Sequence, residues 1–254
     1  MIIDTHAHFD DKAFNEDRET LLAGLPEAGV ELAVNIGANM STSAATVALT
    51  EKYPHIYGAV GVHPSDTAEL TDEKLQQLSA WCKKDKIIAV GEIGLDYYWD
   101  TPEREIQKKW FRAQLNLAFD ENLPVVIHSR DAAADTMNIL KEEARGDYRG
   151  IMHCFSYSPE IAAEVVKMGF YLGIGGVVTF ANAKKLVEVV AQIPLERIVL
   201  ETDCPYLAPV PYRGKRNSSL YLPLVVDKIA EIKGISKEEV ERVTTANARE
   251  VYNI

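Results

Sequence analysis

The chain has 254 residues, 47% hydrophobic and 26% charged, the make-up of an ordinary soluble globular protein long enough to bury a substantial core. Length alone fits one large barrel or two smaller domains. A formal charge of -11 opposes tight, nonspecific association with long nucleic acid, which depends on releasing counterions from many phosphates, but it leaves room for a small, locally basic phosphate site.

The opening residues, Met1-Ile2-Ile3-Asp4-Thr5-His6, lack the basic start and long apolar run of a signal peptide. No later stretch stays apolar long enough to cross a bilayer, so a cytoplasmic protein is expected. Short apolar, β-rich runs then alternate with longer amphipathic segments. Strand Ile2 to His6 precedes a helix at Arg18 to Ala28, and Glu31 to Ile36 precedes one at Ser41 to Lys52. Ile56 to Val62 leads to Asp72 to Lys84, Ile87 to Glu92 to Pro102 to Glu121, and Pro124 to His128 to Ala132 to Ala144. Gly150 to His153, Phe170 to Ile174 and Arg197 to Glu201 complete the strands, with helices at Pro159 to Met168, Ala183 to Gln192, Leu222 to Lys233 and Lys237 to Glu250. Pro102 suits a first helical turn, and Ser236 with Glu239 has the spacing of a capping box.

About eight strand-helix units predict an α/β fold, a TIM (β/α)₈ barrel in a single domain over residues 1–254, with a doubly wound open sheet as the competing arrangement. No linker, repeat or composition break divides the chain. The cysteines Cys82, Cys154 and Cys204 form no Cys-x-x-Cys pair and read as reduced thiols.

The polar residues favour the barrel. His6 and His8, two apart at the end of the first strand, face the same way and can reach one ion. Glu92, His128, His153 and Asp203 each end or follow an apolar run, so every one of these strands finishes in a good metal ligand. In a TIM barrel those ends share the face where active sites lie. Imidazoles and carboxylates suit zinc, manganese or iron, and a carboxylate such as Glu92 can bridge two ions. A binuclear centre of two divalent ions follows.

Each residue also has a plainer reading. A lone histidine at a strand end is more often a hydrogen-bonded structural residue, and an acid after a strand is commonly a helix cap. The joint pattern uses four of the six histidines at the same end of a strand, which chance does not readily supply. His63, in Gly61-Val62-His63-Pro64, reads as a contact to a ligand residue or to substrate, whereas His55 reads as a loop residue. Gly91 to Tyr97 is either a plain glycine-rich turn or a backbone approach to an anion. Arg130 is either a surface salt-bridge residue or a phosphate contact. Tyr206, Arg213, Lys215 and Arg216 make a basic loop after Asp203, which in an acidic protein points to substrate, although loop charges are usually only solvated.

Seven segments, His6-Ala7-His8-Phe9-Asp10, Gly61-Val62-His63-Pro64, Gly91 to Tyr97, His128-Ser129-Arg130-Asp131-Ala132, His153-Cys154-Phe155-Ser156, Glu201 to Leu207 and Arg213 to Asn217, resemble the TatD family of metal-dependent deoxyribonucleases. The likeness runs on through Thr245-Ala246-Asn247-Ala248 and covers essentially the whole chain. It implies a TIM barrel of the amidohydrolase superfamily with a divalent-metal-dependent nuclease activity, often supported by Mg²⁺, that hydrolyses DNA phosphodiester bonds from the 3′ end; the acidic charge with one small basic rim points to short or single-stranded DNA or frayed ends as substrate. By position it implies that His6 and His8 ligate one metal, His128 and His153 a second, that Glu92 bridges them, and that Asp203 binds metal and activated water. Glu92 stands where some relatives in the superfamily carry a carboxylated lysine. Two departures, Asn217-Ser218-Ser219 in place of an Asn-Glu-Pro run and Tyr157 where a glycine often follows, fall in loops expected at the rim and bear on substrate preference.

In the mechanism expected from this, Asp203 takes a proton from the attacking water and Glu92 holds the ions. Arg130 and the Arg213 to Arg216 loop grip phosphate, while Tyr97 or Tyr206 stacks on a terminal base. Two other classes compete: an ester or amide hydrolase (deacylase) using the same water, and a noncatalytic metal-binding scaffold. Neither a membrane nor an obligate protein partner is expected.

Overall fold

The computed structural model describes all residues 1–254, and its eight strands follow one another in the sheet in chain order. Every strand ladder described below is parallel, and helices separate the strands. This is the topology of a TIM barrel. By internal contacts the chain divides into two units, residues 1–35 with 154–254, and residues 36–153.

The first unit carries β1 (Ile2–Ala7), α1 (Arg18–Gly24) and all but the last residue of β2 (Val30–Ile36). It continues with α6 (Pro159–Lys167), β7 (Phe170–Ile174), α7 (Lys184–Gln192), β8 (Ile198–Leu200), α8 (Leu222–Lys233) and α9 (Lys237–Tyr252). β1 pairs with β2, and β7 with β8. An isolated parallel bridge between Ala7 and Cys204 brings the first strand beside the segment that follows the last. Both β7 and β8 are buried along their whole length, as an apolar run without alternation requires when both faces of a parallel sheet are covered. Helix α8 turns Val225, Val226 and Ile229 inward, and α9 turns Val240, Val243 and Val251, at the three-and-four spacing of one helical face.

The second unit carries α2 (Met40–Lys52), β3 (Ile56–Val60), α3 (Asp72–Cys82), β4 (Ile87–Asp96), α4 (Arg104–Asp120), β5 (Val125–Arg130), α5 (Ala133–Glu143) and β6 (Gly150–Met152). Asn39 starts α2 with a reciprocal capping box, its side chain accepting from the Thr42 amide while the Thr42 hydroxyl accepts from its own; losing such a cap typically costs about 1 kcal/mol. Two buried glutamines on α4 then tie down the ends of strands. Gln107 accepts from the Asp96 amide at 2.9 Å and donates to the Asp96 carbonyl at 3.2 Å. Gln114, two turns further along, makes the same pair with Val62 at 2.8 and 3.1 Å, next to His63.

Strand β4 does not stop at Glu92 but runs on to Asp96, in register with β5 as far as Arg130. Gly94 permits this: its φ is +146°, and a Cβ there would lie 1.9 Å from the His128 carbonyl oxygen, so only glycine allows β5 so near. Helix α4 begins at Arg104, two residues after Pro102, with Glu103 as its cap. Ser236 accepts from the Glu239 amide at 3.2 Å as its spacing predicts.

Candidate metal centre

In the first unit, β1 delivers His6, the residue just past its end is His8, and the turn after β8 delivers Asp203. The His6 and His8 Nε2 atoms are 3.1 Å apart, and the Asp203 carboxylate lies 3.7 Å from the first and 3.3 Å from the second. Asp203 adopts a left-handed backbone, φ 55°, and its amide donates to the His6 carbonyl at 2.9 Å, which turns its side chain back toward the histidines. Beneath them lies Asp4, fully buried. It accepts from the His6 and Thr202 amides at 3.2 and 3.1 Å and from the Thr202 and Ser219 hydroxyls at 2.7 and 2.6 Å. Burial outweighs those bonds and pushes the Asp4 carboxyl up to about 6. Asn217, in the basic loop, donates to the Thr202 carbonyl at 2.8 Å and holds the same turn from outside.

Glu201 also belongs here. Its carboxylate is buried, accepts from the Cys154 amide at 2.7 Å, and offers an oxygen within 4.8 Å of a His6 ring nitrogen. The sequence marks Glu201 only as the end of a strand.

In the second unit, β4 and β5 deliver Glu92 and His128. The Glu92 carboxylate lies 2.7 Å from His128 Nδ1 and 3.7 Å from His153 Nε2, while the His128 and His153 rings stack with centroids 6.5 Å apart. His63 joins the set itself, its ring 4.3 Å from that of His128, and His63, Glu92 and His128 offer ligand atoms within 4.8 Å of one another. Asp96, which the sequence had not singled out, sits 3.0 Å from His128 Nε2. Burial disfavours the charged imidazole, but hydrogen bonds to Asp96 and Glu92 prevail and raise His128 above its ordinary value. Burial likewise opposes the charge on Asp96, yet the bond to His128 and the Trp99 amide hold its carboxyl below the usual range.

His6, His8 and Asp203, and separately His63, Glu92 and His128, each offer imidazole nitrogens and a carboxylate oxygen within 4.8 Å of one another, the ligand types a divalent cation takes. Glu92 against one ring nitrogen of His128 and Asp96 against the other fix the orientation of that ring. His153 stands beside Glu92, so each of the six residues expected to bind metal lies near another of them.

The expected substrate contacts are placed less uniformly. Arg130 ends β5 with its guanidinium 3.7 Å from the Tyr98 ring centroid. Tyr97 is occupied: its hydroxyl donates to Asp135 at 2.6 Å and Arg104 covers its ring. Tyr206 is exposed, 6.4 Å from His8 between ring centroids, with its hydroxyl on Asp11 at 3.0 Å. Arg213 rests on Phe180 and Lys215 near Tyr212, both exposed. Arg216 forms a two-pronged ion pair with Asp17, at 2.7 and 2.6 Å, and pins the loop rather than reaching outward.

The sequence profile of the family described as TatD related DNase matches residues 3–253. YabD of Bacillus subtilis (strain 168), named an uncharacterized metal-dependent hydrolase, is 44% identical over 100% of both chains. YcfH of Escherichia coli (strain K12), named likewise, is 35% identical over 100% of this chain and 96% of its own. The crystal structure of YjjV, a TatD homologue from Escherichia coli K12, superposes with a TM-score of 0.93 at 33% identity, covering 100% of this chain and 98% of that one. Profile, relatives and fold agree over the length of both ligand sets, and the chain belongs to the TatD family of metal-dependent hydrolases.

Proposed function

We propose that the chain is a deoxyribonuclease that hydrolyses DNA phosphodiester bonds, trimming single-stranded or frayed 3′ ends in the cytoplasm as a single catalytic domain. The observation that carries this reading is the pairing of His6 and His8 with the partly exposed Asp203 carboxylate, a ligand set with an acid left open toward solvent. The family description as a DNase supports it. His6, His8 and Asp203 would hold one divalent ion, and Glu92, His128 and His153 would hold another. The imidazole-rich sets favour Zn²⁺ or Mn²⁺ by softness, while the family resemblance favours Mg²⁺.

Such ions, when bound, lower the pKa of water and polarise the attacked phosphoryl group. Asp203 takes the proton of the attacking water as its oxygen bonds to phosphorus and the P–O bond to the departing sugar oxygen breaks. Glu92 and the histidines hold the reacting groups in line. Arg130, Arg213 and Lys215 contact flanking phosphates, and Tyr206 stacks on a terminal base. Arg216 and Tyr97 act here by shaping the loops that carry those groups, through Asp17 and Asp135.

The test is cleavage of a labelled oligonucleotide with Mg²⁺ or Mn²⁺ by the wild type and by Asp203→Asn. Turnover should fall roughly 10²- to 10⁴-fold in the variant; near-normal turnover refutes the role of Asp203. Hydrolysis of an acyl ester or amide with no cleavage of any oligonucleotide makes the protein a deacylase using the same ligands.

A further inference from the structure

Immediately after β4, two large aromatic side chains stand in solvent, Tyr98 at 55% and Trp99 at 63% exposure, and Trp99 is the most exposed of the large hydrophobic residues. The loop bearing them is held firmly. Both backbone amides donate to the same oxygen of Asp96, each at 3.0 Å, while the other oxygen of Asp96 faces His128. One carboxylate therefore locks the aromatic pair to a metal-site histidine. The rings meet edge to face, with centroids 5.1 Å apart.

Arg130 completes the surface. Arg104, Arg112 and Arg145 of the same unit pair with carboxylates, whereas Arg130 makes its contact with the Tyr98 ring. It is opposite Asp96 on the neighbouring strand and two residues past His128, hence on the same side of β5 and about 7 Å along it. That displacement is on the order of one nucleotide.

We propose that Trp99 and Tyr98 form a stacking subsite for an unpaired nucleobase, with Arg130 on the adjacent phosphate, beside the His128 ligand set. This rests on the nuclease reading and adds a specificity element to it. Indole and phenol faces stack on any base, so the subsite is tolerant of sequence, but it needs a base with an open face. The cation supplies the charge complement to a phosphate in a protein of net charge -11. A paired end must fray before its base can enter, which makes strandedness the selected property.

The experiment measures binding of a dye-labelled single-stranded oligonucleotide to metal-free protein by anisotropy, for wild type, Trp99→Ala, Trp99→Leu and Trp99→Phe. The alanine and leucine variants should raise Kd roughly 5- to 150-fold, with phenylalanine recovering most of the loss. Scanning single abasic positions from the 3′ end should find one at which wild-type affinity drops by the same factor while Trp99→Ala is unaffected. An unchanged Kd in Trp99→Ala, with oligonucleotides still cleaved by the wild type, overturns the subsite and leaves the nuclease reading in place. Failure of the wild type to bind or cleave any oligonucleotide sinks the nuclease reading instead. A Trp99→Ala defect confined to hydrolysis of aryl or acyl esters overturns the nucleobase in favour of an apolar acid group.

Discussion

The carboxylate of Glu201 occupies the space that a side chain at residue 173 would need: a Cβ on Gly173 would lie 2.0 Å from Glu201 Oε2 and 2.5 Å from its Cδ. Gly173, in the middle of β7, is thus required by the strand beside it. Gly173→Ala must push the buried acid aside, and overpacking of this kind costs about 1–3 kcal/mol. Urea denaturation of the metal-free variant should show that loss, and the double variant Gly173→Ala/Glu201→Ala should lose less than the sum of the two single variants. Strict additivity would mean that the two residues do not compete for space.

As a proposed metal ligand His128 must be neutral to bind, and its bonds to Asp96 and Glu92 raise its pKa against the effect of burial, so protons would compete for the site at a higher pH than with an ordinary imidazole. Asp96→Asn should weaken divalent binding about 10- to 100-fold at neutral pH, because the ring loses its orienting carboxylate. The acid-side midpoint of residual binding should move to lower pH, since the group that raised the imidazole is gone. Metal-competition titrations from pH 5 to 8 measure both. An unaltered midpoint would contradict the assigned contact.

Burial pushes the Asp4 carboxyl up to about 6, well above the ordinary carboxylate value. Its raised value means that the stability it contributes is complete below the unfolded value and fades as pH rises through about 6, where burial of the charge must be met. Relative to Asp4→Asn, which stays neutral, the wild type should lose about 2 kcal/mol between pH 4 and pH 7. Chemical denaturation of the two metal-free proteins across that range checks the slope. Parallel curves would show that the carboxyl is ionised throughout.

Three outward-reaching cations, Arg130, Arg213 and Lys215, set the expected salt dependence of single-strand binding. At roughly 0.7 per phosphate, log affinity should fall against log salt with a slope of about −2. A slope several times steeper, measured between low and moderate salt, would demand a larger phosphate interface than these residues supply.

The sequence makes the candidate ligands legible because each closes or follows an apolar run, and a parallel strand tells its end by where the run stops. His6, His8, Glu92, His128, His153 and Asp203 are all proposed on that signal. Asp96 is not, because Gly91 and Gly94 read as a turn when they in fact let β4 continue against β5. Glu201 is missed for a similar reason: its pocket is the missing side chain of Gly173 on another strand. Arg216 and Tyr97 look available in sequence, and only the fold shows that Asp17 and Asp135 already hold them. Local runs reveal where a strand ends, while long-range partners decide which polar groups remain to meet a substrate.

The two ligand sets draw on the chain very differently. Glu92, His128, His153 and His63 all lie within the continuous stretch 36–153, so that set has every one of its residues once little more than the first half of the polypeptide has been made. His6 and His8 emerge first of all but wait for Asp203, and their strand is held by a bond from the Tyr252 hydroxyl to the Thr5 carbonyl, contributed by almost the last residue synthesised. On a translating ribosome the oldest histidines therefore wait longest for their neighbours, and a chain cut short before its final helix would lack the Tyr252 bond to the strand that carries His6.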